Sequence, residues 1–120
     1  MAHTIGWFDL PVADLERAIE FYSKVLVTTV KKEWPGMEVA VFPHGEGDVA
    51  GCLYKDADSK PSAHGVLVYF GVNGRLDAAL KEVEKLGGKI LQPRHQIGPY
   101  GFRAIVLDSE GNRIALHEEA

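Results

Sequence analysis

The chain has 120 residues, 46% hydrophobic and 25% charged, which is the size and balance of one compact domain able to fold without a disulfide or structural metal. With 13 Lys and Arg against 17 Asp and Glu, and no basic cluster longer than Lys31-Lys32, the electrostatic footprint of a nucleic-acid binder is missing. No apolar run approaches membrane-spanning length, the first dozen residues lack a secretory pattern, and Cys52 is the only cysteine, so a cytoplasmic domain with small-molecule partners is expected.

The first element in chain order is a short apolar strand, "TIGWFDL". It is followed by "DLERAIEFYSKVL", where Leu15, Ala18, Ile19, Tyr22, Val25 and Leu26 recur at three- and four-residue steps and Glu16, Arg17, Glu20 and Lys24 take the other side. This predicts an amphipathic helix, capped by Asp14 and supported by a Glu20-Lys24 pair at i,i+4. "VTTV" and "MEVAVF" then read as strands, rich in β-branched residues. "KDADSKPSAHG" is a loop by its Asp, Ser, Pro and Gly content.

The second half repeats the order. "GVLVYFGV" reads as a strand, and "RLDAALKEVEKLGGK" as a helix that buries Leu76, Ala79, Leu80, Val83 and Leu86, is capped by Asn73 and stops at Gly87-Gly88. Strands follow at "KIL" and at the end of the chain. Aligning Leu15 with Leu76 also matches Ala18 with Ala79 and Ile19 with Leu80, and "FPHGEGDVAGCL" then falls upon "VLDSEGNRIALH". The expected architecture is one α+β domain over residues 1–120, built from βαβββ units of about 1–60 and 61–120. The units form a cupped, partly closed mixed sheet with both helices on its outer face.

In their order and spacing, "PVADLERAIEFYSKVL", "VNGRLDAALKEVEKLGGK" and "VLDSEGNRIALHE" resemble the vicinal oxygen chelate superfamily, which includes glyoxalase I, extradiol dioxygenases and bleomycin-resistance proteins. The resemblance implies paired βαβββ modules and, commonly, a homodimer. It also implies that metal-dependent members hold a divalent ion with one inward His, Gln or Glu from each of four central strands. Carried onto this sequence, those places are Trp7, Gly51 or its neighbour Cys52, Leu67 and Ala115. Indole nitrogen has no available lone pair, and Gly, Leu and Ala have no ligating side-chain atom, so no metal and no cofactor is expected.

Strand alternation predicts what lines the cup instead. Trp7 and Asp9, Val49, Gly51 and Leu53, Leu67 and Tyr69, and Arg113, Ala115 and His117 are expected to face it, with Arg103 joining them. Cys52, Ile114, Leu116 and the row Val66, Val68, Phe70 and Val72 are expected to face the helices. Such a wall suits an aromatic or amphipathic ligand, with Trp7 and Tyr69 as flat contacts and Asp9 and His117 as orienting groups. Each has a plainer reading: Trp7 and Tyr69 as core, Asp9 as a turn cap, and His117 as a solvated or structurally satisfied histidine. His117 is the candidate acid or base. His3, His44, His64 and His95 are placed near a terminus or in loops and form no metal motif, while "QPRHQIGPYGF" is either a plain hairpin connection or a cover for the cup with Tyr100 at its tip.

The function these readings imply is glyoxalase/bleomycin-resistance-like binding of a small organic molecule without a metal. The alternatives are a metal-dependent lyase, isomerase or dioxygenase of the same superfamily, or a metal-independent acid–base enzyme using His117.

Overall fold

Asp14 starts the first helix because its carboxylate accepts the backbone N–H of Arg17, satisfying one of the donors a helix start leaves open. In the computed structural model, which describes residues 4–119, this helix is α1, Leu15–Val25. It buries Leu15, Ala18, Phe21, Tyr22 and Val25, and Lys24 reaches Glu20 at 3.0 Å. The second helix, α2, runs Leu76–Lys85 and buries Leu76, Ala79, Leu80 and Val83. Its start is not capped by Asn73: Arg75 occupies the cap position without a side-chain bond, and Glu118 accepts the N–H of Leu76 from across the sheet. Asn73 instead accepts from the backbone of Glu119. At the other end, Gly87 takes the left-handed φ of 92° that ends the helix.

The strands are β1 (Trp7–Pro11), β2 (Val39–Val41), β3 (Ala50–Tyr54), β4 (Val68–Gly71), β5 (Lys89–Gln96), β6 (Phe102–Leu107) and β7 (Arg113–Glu118). They form two mixed sheets, ordered β1-β3-β2 and β4-β7-β6-β5, and in each the opening strand of the unit pairs in parallel with its closing strand. The fold is α+β, and the sheets do not close. The second unit is a full βαβββ. In the first, "VTTV" forms no strand, and the pairing expected of it shrinks to a single Lys31–Val41 bridge. The chain turns at Val27, a non-glycine with φ of 50°, and residues 31–38 are all exposed, so no buried face holds an edge strand there.

One hydrophobic cluster draws on both halves of the chain. At its centre the rings of Phe8, Phe42, Phe70 and Tyr22 pack with centroids 5.3–5.9 Å apart. Val68, Phe70, Val72, Ile114 and Leu116 face it as expected, whereas Val66 precedes β4 and is 91% exposed.

The face of β3 differs from the expectation. Leu53 is fully buried in the core rather than in the cup, paired with Leu10 and Ala40, and Gly51 sits directly under the Phe8 ring. Cys52 takes the opposite face, beside Asp9. The reason is that β3 is the central strand of its sheet and buried on both faces, so its sequence carries no polar alternation from which to read direction.

A buried polar network ties the halves together. The Tyr22 hydroxyl donates to Asp108, which also accepts from the side chain of Asn112 and from the backbone N–H groups of Glu110 and Asn112. Asn112 in turn donates to the carbonyl of Pro11. Burial pushes the Asp108 carboxyl above its usual range, partly offset by these donors, and pushes the Tyr22 phenol well up. Removing the donor by Tyr22→Phe is expected to cost about 1–2 kcal/mol and to raise the Asp108 pKa further. Urea unfolding together with a carboxyl NMR titration checks both effects; an unchanged midpoint refutes the expectation.

Candidate functional site

Because β1 and β4 are the facing outer strands of two sheets that do not join, a groove runs between them. It encloses about 700 Å³ and is mainly apolar, with Trp7, Val49, Leu67, Val68 and Tyr69 among its walls and Phe8, Phe42 and Phe70 below. Trp7 and Tyr69, 44% and 47% exposed, are left standing at its rims although both are large and aromatic.

On the β1 side, Asp9 neither caps the following turn nor stands free. Its carboxylate accepts the Trp7 indole N–H at 2.7 Å and the Cys52 thiol at 3.2 Å, which fixes the indole orientation. Burial, reinforced by the Asp9 carboxylate, pushes the Cys52 thiol up to about 12. It therefore stays protonated at neutral pH and is neither a nucleophile nor a ready soft ligand.

On the other side, register places Tyr69, Ala115 and Ile105 across one face, and Arg103 beside His117. Ala115 is fully buried there, so it contributes floor rather than contact. Above it, Arg103 donates from Nη1 to the Tyr69 hydroxyl and from Nε to Nε2 of His95 at 3.0 Å. A guanidinium only donates, so His95 Nε2 must accept, and its proton lies on Nδ1, which is 2.9 Å from the Pro93 carbonyl. The same logic applied to His117 makes Nε2 the donor to the Tyr100 carbonyl, at 2.6 Å. That nitrogen anchors the β5–β6 turn, leaving only Nδ1 for any acid–base role. The turn is the hairpin reading of "QPRHQIGPYGF": β5 and β6 pair across it, and Tyr100 is 73% exposed at its tip.

A family model described as Glyoxalase/Bleomycin resistance protein/Dioxygenase superfamily matches residues 4–116. The chain belongs to that superfamily. Solved structures with the same fold include a glyoxalase/bleomycin resistance protein from Albidiferax ferrireducens, at 15% identity and TM-score 0.79, covering 98% of this chain and all of that one. The fosfomycin resistance protein FosX from Listeria monocytogenes matches at 16% identity and TM-score 0.74, covering 100% and 94%. A hypothetical protein from S. aureus matches at 20% identity and TM-score 0.71, covering 98% and 95%. No curated protein matches the chain.

The metal site of this glyoxalase-type superfamily does not fit the residues present. Among the described residues no group of three or more His, Cys, Asp or Glu side chains is placed to hold an ion. Of the places carried over by resemblance, Trp7 has its N–H bonded to Asp9, Leu67 and Ala115 are hydrocarbon, and parity selects Cys52 over Gly51 for the fourth. One high-pKa thiol does not make a site. His3 lies outside the described residues.

Of the residues expected to line the cup, Trp7, Gly51, Leu67 and Tyr69 lie along the groove, with Tyr69 linking it to Arg103. His117 stands across from Tyr69 with ring centroids 6.4 Å apart. Asp9 reaches this face through Trp7, and Leu53 is withdrawn into the core. His95 was expected in a loop and belongs instead to β5, opposite Arg103. The signal for it is the near-symmetric spacing of His95 and Arg103 about Pro99. Pro93 masks that signal, because proline argues against a strand unless, as here, it lies on an outer strand among register shifts.

Proposed function

We propose that this member of the superfamily binds a small, aromatic or amphipathic organic molecule in the groove between β1 and β4 without a metal ion. Trp7, Leu67 and Tyr69 supply the contact surface in this reading, Ala115 leaves room, and Asp9, Arg103 and His117 orient the guest. The observation that carries it is the pair of half-exposed aromatic rims over an apolar groove whose four family positions present no set of metal donors. The proposal extends to a cytoplasmic homodimer, in which a second copy covers part of the exposed apolar rim that includes Val66 and Ile5.

The test uses Trp34→Phe protein, which leaves Trp7 as the only indole. Titration with a panel of aromatic compounds is expected to give saturable quenching of Trp7 fluorescence by at least one of them, with a matching rise in unfolding temperature. Elemental analysis of protein purified without an affinity tag is expected to find no stoichiometric divalent metal. A tightly held nickel, zinc, iron or manganese ion, or no saturable response across the panel, overturns the reading.

A further inference from the structure

The arginines of this chain differ in what neutralises them. Arg17 bonds to Glu110, Arg94 lies between Glu118 and Asp77 while also covering the Phe102 ring, and Arg75 and Arg113 donate to the backbone carbonyls of Val25 and Gly65. Arg103 is partly buried on the face that continues the groove, and its partners are the neutral acceptors His95 Nε2 and Tyr69 Oη. The carboxylate reaching the same face from β1, Asp9, is engaged by Trp7 and Cys52. Holding a guanidinium in place with two neutral groups aligns the fork without cancelling its charge. Nη2 and the second Nη1 hydrogen stay free to donate, and because Tyr69 accepts from Arg103, its own hydroxyl hydrogen is available in the same place.

From this we infer that Arg103, Tyr69 and His95 form an oxyanion subsite, and that the guest of the groove is an organic acid with its carboxylate on Arg103 and its apolar body along Tyr69. This rests on the groove reading above and adds a charge to it. The chain's net charge of −4 does not argue against an anionic guest, because a partly buried cation within hydrogen-bond reach acts locally and the distant carboxylates are screened by salt. In this scheme His95 is a positioning residue. Its Nδ1–H on the Pro93 carbonyl keeps the Nε2 lone pair aimed at Arg103, which turns the free edge of the fork toward the groove.

Matched probes with one apolar body, naphthoate and naphthamide, separate the two layers of the argument. By isothermal titration calorimetry the wild-type protein is expected to bind naphthoate about tenfold more tightly than naphthamide, the difference made by hydrogen bonds from a charged donor. Arg103→Gln is expected to erase that difference, bringing naphthoate affinity down to about that for naphthamide. Arg103→Lys keeps the charge but not the fork, and should restore part of it. His95→Ala is expected to narrow the naphthoate preference and His95→Gln, which keeps an acceptor, to retain more of it. If both probes bind equally, or Arg103→Gln weakens them equally, the oxyanion subsite is wrong and the groove stands. If neither binds, the groove reading fails as well.

Discussion

Gly51→Ala should lower the unfolding midpoint by about 10 °C or more, corresponding to roughly 3 kcal/mol, although it adds a single methyl group to a strand. A Cβ built on Gly51 lies 2.2–2.5 Å from three atoms of the Phe8 ring. Phe8 is held against Phe42 and Phe70 at centroid separations of 5.6 and 5.9 Å and its open side is the groove, so the ring yields only by leaving those contacts. The methyl therefore pushes the ring off Phe42 and Phe70 into the groove or drives β1 away from β3, and either movement disturbs the groove that these strands position. A double-mutant cycle locates the cause. In a Phe8→Leu background the same glycine change should cost about 1–2 kcal/mol less, because the rigid ring is gone. Additive losses would place the cost elsewhere than in the Phe8 contact.

The second large effect is expected at Glu110, whose side chain is fully buried between the two units. Its carboxylate accepts from the N–H groups of Ala13 and Asp14 at 2.9 and 2.8 Å, from Arg17 through Nε and Nη2 at 2.7 and 2.9 Å, and from Ser109. One acid from the turn before β7 thus holds the approach to α1, which pins β1 against the second half. Glu110→Ala leaves two backbone donors and Arg17 without this partner and should cost about 3 kcal/mol in urea unfolding. Arg17 is half-exposed and regains water, which keeps the loss below that of a wholly buried pair.

The pH dependence follows from the same carboxylate. Burial alone would raise its pKa, but the bonds from Arg17, the backbone N–H groups and Ser109 outweigh it, so the group lies below the usual glutamate range. Its contribution is present above the unfolded value of about 4.3 and is lost as the pH falls through the lower folded value. Asp108 acts in the opposite sense: its folded pKa is raised, so its contribution is present in acid and declines as the pH climbs through that value. Glu110→Gln should therefore flatten the acid limb of stability between about pH 5 and pH 3, because the term that falls in acid is removed and the Asp108 term remains. Wild-type and variant curves that stay parallel over that range would show that Glu110 is not the group responsible.

How far the sequence reached can be traced through β3, β4 and β7. In β4 and β7 one face is apolar and the other is not, so Phe70, Ile114 and Leu116 reveal their direction through alternation. In β3 the run Ala50, Gly51, Cys52 and Leu53 is buried throughout, and the wrong parity sent Leu53 to the cup and Cys52 to the core. Only the Phe8 ring lying over Gly51, together with the Asp9–Cys52 contact, fixes the true direction. Helix ends divide the same way. Asp14 caps α1 from within its own segment, whereas α2 is capped by Glu118, 42 residues away and invisible to any local pattern.

By itself the sequence determined the two amphipathic helices, the α+β class, and the presence of side chains without metal-binding atoms at Trp7, Leu67 and Ala115. All of these depend on periodicity or on the chemistry of single residues. Tertiary structure decided which face of β3 meets the core, that the sheets stay apart to leave a groove, and that His95, Tyr69 and Arg103 converge. Those outcomes depend on contacts between distant segments, where the room left by one ring or the partner left for one guanidinium settles direction, and no local pattern records them.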